Sequence, residues 1–215
     1  MQEHVSFTFK APFVTLNSIT PNTRHIWIVC HGYAQMAERF IQKFSILDPN
    51  ENFILAPQGL SRFYFDTYTK IGASWMTRED RETDLENQRG YIDAIFENVF
   101  DGVDLSRYKL HLLGFSQGAS MICRIAAHKK IEFSELILWA GGFPKELSAN
   151  DFQFLGQGAK LKVVLGSKDE YYKSVDYKKE LGYMEQGTGL KANFIRYEGT
   201  HKIEKSVLKR VIDSE

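Results

Sequence analysis

The chain predicts an α/β fold in which a mainly parallel sheet carries helices on both faces. Three observations lead there. Short apolar runs alternate with longer segments of helical period. One of those runs, Tyr108 to Phe115, stops at Gly114-Phe115-Ser116-Gln117-Gly118 and passes straight into an apolar-faced helix carrying Met121, Ile122, Ile125 and Ala126. Hydrophobic residues make up 43% of the 215, enough to bury one sizeable core, so a single domain over 1–215 is expected.

In chain order, Val5-Ser6-Phe7-Thr8-Phe9 alternates and predicts an amphipathic edge strand before a polar turn at Pro21-Asn22-Thr23. His25 to Cys30 is a nearly continuous apolar strand, and after His31-Gly32 the period becomes helical through Phe40, Ile41, Phe44 and Leu47. Phe53-Ile54-Leu55 is the next buried strand. Gln58 to Met76 shows no clean period but many aromatics, an excursion with something to cover. A helix from about Arg81 to Phe100 opens on Glu and Asp, which its N-terminal dipole favours. Beyond the Tyr108 strand and its helix, Glu135 to Ala140 and Leu161 to Leu165 read as strands and Gly141 to Gly158 as a loop. Asp176 to Gln186 reads as a helix, Ala192 to Tyr197 as the last strand and Ile203 to Ile212 as the closing helix. Right-handed crossovers then gather the loops at the strand C-terminal ends, where such sheets hold their active sites.

Gly114-Phe115-Ser116-Gln117-Gly118 between strand and helix is the pattern of a nucleophile elbow, in which the flanking glycines let neighbouring chain pass without a clashing Cβ. A serine hydroxyl attacks only when a base takes its proton, and the base needs an acceptor behind it. In this arrangement the order along the chain is Ser, then an acid, then His. His201, in Glu198-Gly199-Thr200-His201 after the last predicted strand, is the histidine that lies beyond the candidate acids. Asp169, at the tip of Lys162 to Gly166, is the expected acid; Glu170 is its close rival, with Asp151 and Asp176 in weaker positions. The oxyanion amides are expected at Gln117, on the helix N-terminus, and at Tyr33, in the loop that leaves the His25 strand. His31 is expected to organise that loop by hydrogen bonding, and His128 to complement a helix C-terminus. Phe63, Phe65, Tyr68 and Trp75 are expected to line an acyl pocket, with Phe143, Phe152, Phe154 and Leu155 as an opposing wall.

Composition excludes other classes. Lys plus Arg and Asp plus Glu each total 27, so no net field attracts nucleic acid or an anionic membrane. Met1-Gln2-Glu3-His4-Val5 lacks the basic and apolar segments of a signal peptide, and no run approaches membrane-spanning length; a cytoplasmic protein without stable membrane insertion is expected. Cys30 and Cys123 read as buried thiols, the six histidines are scattered without metal-ligand spacing, and there is no phosphate-binding glycine loop. No metal or cofactor is expected, and nothing in the sequence sets an oligomeric state.

The chain resembles the phospholipase/carboxylesterase family of α/β-hydrolases, which includes acyl-protein thioesterases and small bacterial carboxylesterases. The resemblance runs from about Trp27 to Val211. It rests on Val29-Cys30-His31-Gly32-Tyr33, Ala56-Pro57, Gly114-Phe115-Ser116-Gln117-Gly118-Ala119, Trp139-Ala140-Gly141-Gly142-Phe143-Pro144, Gly166-Ser167-Lys168-Asp169-Glu170 and Tyr197-Glu198-Gly199-Thr200-His201. It implies a Ser116-Asp169-His201 triad, oxyanion amides at Tyr33 and Gln117, and hydrolysis of carboxylic esters or thioesters without a cofactor. Members often carry a second glycine where this chain has Ala34, and the segment from Gln58 to Arg81 departs from the thioesterase pattern. The expected activity is that of a serine carboxylesterase on a small acyl ester. A thioesterase or lysophospholipase on the same triad, or a non-catalytic small-molecule-binding protein of the same fold, are the alternatives.

Overall fold

The central apolar runs of the sequence become strands buried on both faces, and two half-exposed strands, the first and the last in the chain, close the edges of the sheet. In the computed structural model, which describes residues 3–214, these are β1 (Phe13–Leu16), β2 (His25–Cys30), β3 (Asn52–Pro57), β6 (Lys109–Phe115), β7 (Glu135–Trp139), β8 (Lys160–Gly166) and β9 (Ala192–Tyr197). They form one sheet in the order β1-β3-β2-β6-β7-β8-β9. Only β1 runs antiparallel, pairing Phe13 with Pro57 through Leu16 with Ile54; the others are parallel. Between β3 and β6 the aromatic segment folds as a separate hairpin, β4 (Ser61–Phe65) and β5 (Lys70–Ser74).

Five helices cover the sheet: α1 (Ala37–Ile41), α2 (Arg81–Phe100), α3 (Gln117–Lys129), α4 (Tyr177–Thr188) and α5 (Lys205–Asp213). Ile26, Ile28, Leu112, Leu136 and Leu138 point to one face, where Ile92, Ile95, Met121, Ile125 and Met184 of α2, α3 and α4 meet them. Trp27, Val29, Leu113, Ile137 and Val164 alternate to the other, against Phe40 and Ile41 of α1 and Val207, Leu208 and Val211 of α5. The strict alternation of inward direction along each strand sorts the two layers.

Two readings are corrected. Val5 to Phe9 is not a strand: Val5 and Phe7 are 85% and 78% exposed, and the edge of the sheet belongs to β1, whose backbone finds the partners on β3. The helical reading through Leu47 shortens to α1 followed by a 3₁₀ turn over Gln42–Phe44.

At the end of the sheet away from the strand C-termini, Lys162 is 1% exposed and bonded to Glu135 Oε1 at 2.8 Å and to the carbonyls of Val211 and Ser214. A buried ammonium is tolerated because it is paired with a charge and its donors end on the C-terminus of α5. Among the described residues no helix is long and apolar enough to cross a membrane.

Candidate active site

Strands β6, β8 and β9 end at the same edge of the sheet, with β7 between the first two, and the turn after each delivers one polar side chain. Ser116 follows β6 directly. Its backbone sits at φ 54° and ψ −118°, a conformation that costs a non-glycine residue on the order of 1–3 kcal/mol and is held here by its amide bond to Trp139 O at 2.9 Å. The close passage that makes the turn possible is measurable. A Cβ on Gly114 would lie 2.2 Å from Gly118 O, one on Gly118 2.2 Å from Cys30 O, and one on Gly141 2.3 Å from Ser116 O. Both motif glycines are therefore dictated by backbone contact.

Asp169 lies in the turn after β8 and His201 in the loop after β9. His201 Nε2 lies 2.9 Å from Ser116 Oγ, and His201 Nδ1 lies 2.7 Å from Asp169 Oδ2. The carboxylate fixes the tautomer: Nδ1–H donates to Asp169, which leaves the Nε2 lone pair facing the serine hydroxyl. Asp169 is 2% exposed, and its other oxygen accepts the Tyr171 amide at 3.0 Å. Burial, and then the Asp169 charge, push the Tyr172 phenol up. The rival acids are engaged elsewhere. Glu170 is exposed and pairs with Lys173, Asp176 caps α4, and Asp151 closes a capping box with Ser148.

The loop after β2 passes against the serine, for a Cβ on Gly32 would lie 3.2 Å from Ser116 Cβ. Among the described residues neither the Tyr33 nor the Gln117 amide donates to a protein acceptor. His31 organises this loop. It is fully buried and stacks on Trp75 with ring centroids 4.8 Å apart. Its Nδ1 donates to Gly32 O at 2.8 Å, and its Nε2 accepts from the Gly59 amide at 2.9 Å. Burial brings its pKa down to about 4. His128 lies in the last turn of α3 and pairs with Asp93.

The side chain of Gln117 does more than the sequence suggested. Its Oε1 accepts the Trp75 amide at 3.0 Å and its Nε2 donates to Met76 O at 2.8 Å, tying the end of the hairpin to the elbow. Two residues before Trp75, on β5, Ala73 O accepts the Ala34 amide at 2.9 Å, and Gly72 packs against the Ala34 backbone. Ala34 itself holds φ 60°.

An open groove of about 990 Å³ lies over Ser116 and His201, walled by Ala140 to Glu146, Tyr171, Tyr172 and Val175. The expected aromatic wall is largely relocated. Trp75 is 1% exposed with Nε1 donating to His31 O, so it belongs to the loop's support and offers substrate no surface. Tyr68 is 82% exposed near the hairpin tip, and Phe63 stacks on Tyr33 at 5.1 Å with Phe65 beside it; none of the four lines the groove. Of the opposing set, Phe143 reaches the groove, Phe152 is core, and Phe154 and Leu155 pack against it. Sequence reasoning missed Tyr171, 75% exposed with its ring 4.6 Å from that of His201, and the cluster in which Arg124 and Arg81 both bond Glu146 Oε1, at 2.6 and 3.0 Å. Against the burial that raises it, those guanidinium groups hold the Glu146 carboxyl below its usual value. Among the described residues no three His, Cys, Asp or Glu side chains gather as a metal site.

No protein-family model matches the sequence, and no curated protein sequence matches it either. Solved structures do. The chain is similar to acyl-protein thioesterase 2 of Zea mays, at 16% identity over 94% of this chain and 96% of that one, with a TM-score of 0.65. It is similar to a phospholipase/carboxylesterase of Dyadobacter fermentans, at 16% identity over 98% and 99% of the two chains with a TM-score of 0.63. It is similar also to a carboxylesterase of Bacillus cereus, at 13% identity over 94% and 91% with a TM-score of 0.65. The chain has the α/β-hydrolase fold, and its structural neighbours over most of its length include acyl-protein thioesterase, phospholipase/carboxylesterase and bacterial carboxylesterases.

Proposed function

We propose that the protein is a serine hydrolase of carboxylic esters, with Ser116 as nucleophile, His201 as base and Asp169 as the acid behind it. The observation that carries this reading is the unbroken run of hydrogen bonds from Ser116 Oγ through the imidazole to a buried carboxylate, on a backbone turn that costs free energy to hold. Ser116 Oγ attacks the acyl carbonyl as its proton passes to His201 Nε2, and Asp169 stabilises the imidazolium. The carbonyl electrons move onto oxygen, which the Tyr33 and Gln117 amides receive; at the N-terminus of α3 the second of these is reinforced by the helix dipole. His201 gives its proton to the departing alcohol. Water then attacks the acyl-serine, loses a proton to His201, and the carboxylic acid leaves as Ser116 Oγ recovers its own.

A protonated imidazole accepts nothing from Ser116, so the attack needs the neutral ring that the hydrogen bond to Asp169 orients. The test is treatment with a fluorophosphonate followed by intact and peptide mass measurement. A single adduct on Ser116, absent from a folded Ser116→Ala variant that also turns over no ester, is the expected result. Ester turnover that survives Ser116→Ala overturns the reading.

A further inference from the structure

The groove over Ser116 is unevenly charged. Arg81, Arg124 and Lys145 line it against the carboxylates of Glu146 and Glu180. Glu180 stands on α4, on the β8 side with Tyr172, so the α3 end of the groove is the cationic one. There two guanidinium groups converge on one oxygen: Arg124 Nε and Arg81 Nη2 donate to Glu146 Oε1 at 2.6 and 3.0 Å. One negative charge thus serves two positive ones, and an arriving anion would meet the remainder.

Arg124 is aimed back toward the proposed nucleophile. Long helical side chains lean to the N-terminus, and Arg124 Nη1 accordingly donates at 3.0 Å to Ser120 Oγ. Ser120 also lines the groove, one turn past Ser116 and about 6 Å along the helix at the helical rise. Glu146 and Ser120 between them engage two of the five N–H donors of Arg124; Nη2 has no acceptor among the described residues. The direction of the chemistry adds the other half of the argument. His201 gives its proton to the departing alcohol, which therefore leaves on the side where the imidazole meets Phe115 and Tyr171. Phe115 belongs to the layer covered by α1 and α5, whereas α3 covers the opposite face. The acyl substituent, turned away from the leaving oxygen, runs along α3.

We propose that Arg124, assisted by Arg81, binds a carboxylate at the far end of the acyl chain, and that the substrate is a monoester of a dicarboxylic acid. A spacer of about four methylenes covers roughly one helical turn, which suits a diacid of about six carbons. The planar guanidinium presents its free donors to that carboxylate as a fork. This assignment rests on the ester-hydrolase reading above.

The experiment compares kcat/KM for three 4-nitrophenyl esters of equal carbon count and different terminal charge: the adipate monoester, the hexanoate and the 6-aminohexanoate. The wild type should favour adipate over hexanoate by about tenfold or more and disfavour the ammonium ester. Arg124→Gln should bring the adipate-to-hexanoate ratio close to one and raise the ammonium ester relative to hexanoate. Arg81 is the partly exposed first residue of α2, so Arg81→Gln serves where Arg124→Gln fails to fold, and it should lower the ratio severalfold. Equal rates for the three esters in the wild type overturn the proposal, as does an adipate preference that survives in either folded variant undiminished. A preference for 4-acetoxybenzoate over phenyl acetate, without one for adipate, puts the anion on the alcohol and overturns the acyl assignment. No turnover of any ester by the wild type is instead the failure of the ester-hydrolase reading.

Discussion

Acidification from about pH 6.5 toward 4 should remove stability through His31, a residue that takes no part in the proposed reaction. Its imidazole is buried, with Nδ1–H committed to Gly32 O and Nε2 already accepting from the Gly59 amide and the Gln58 side chain. A second proton has no acceptor to meet, and burial brings the pKa from 6.5 down to about 4. Because the folded value lies below the unfolded one, the unfolded chain binds the proton first. The contribution is fully present above about pH 6.5 and is lost as the pH falls through the folded value. At 1.36 kcal/mol for each pH unit it amounts to about 3 kcal/mol. The assay is urea unfolding of wild type and His31→Gln at intervals from about pH 7 to 4, reading the difference between the two so that carboxylates common to both cancel. The wild-type advantage should shrink by about 3 kcal/mol across that interval, with a steepest slope near 1.4 kcal/mol per pH unit. Parallel curves would refute the argument.

Asp169→Asn keeps the shape of the site but removes the charge that fixes the His201 tautomer; kcat on a small ester should fall about 10⁴-fold while the melting temperature changes little, which steady-state kinetics and a thermal melt check together. Ala34 is held at φ 60°, so Ala34→Gly should stabilise the fold by roughly 0.5–1 kcal/mol, read as a higher urea midpoint at unchanged slope. Gly141 and Gly142 give a paired test in adjacent positions. A Cβ on Gly141 would lie 2.3 Å from Ser116 O and 2.4 Å from Ala119 Cβ, whereas one on Gly142 meets nothing within 4 Å. Gly141→Ala should cost about 1–3 kcal/mol or more and Gly142→Ala no more than about 0.5 kcal/mol, as thermal melts of the two will show.

The sequence is most informative where a property is local. Buried strands are continuous apolar runs, so β2, β6 and β7 are legible nearly residue for residue, and α2 is legible from Arg81 to Phe100 by its period and acidic start. The proposed triad of Ser116, Asp169 and His201 could be singled out because each follows the end of a readable strand. Val5 to Phe9 misleads for the opposite reason: alternation marks a strand only when a neighbour offers backbone partners, and β3 spends its free edge on Phe13–Leu16. The aromatics between Gln58 and Met76 mislead as well, since an aromatic ring serves a core, a stack or a pocket equally well and nothing in its local sequence says which. The Tyr171 ring over His201 and the Arg81–Glu146–Arg124 cluster join segments far apart in the chain, and no local pattern announces them.

The end of the short strand β5 and the residue that follows it hold two neighbours by grips two positions apart. Ala73 O secures the amide of Ala34, next to Tyr33, and the Trp75 amide secures the side chain of Gln117. The two halves of the proposed oxyanion site come from loops that are distant in sequence, yet both are fastened to a span of three residues. A displacement of β5 therefore disturbs both halves together rather than loosening one, and the hairpin that projects from this strand acts as a lever arm. A tether or bulky label at exposed Tyr68 applies force to the whole anion-holding apparatus from outside the groove, without touching Ser116 or His201.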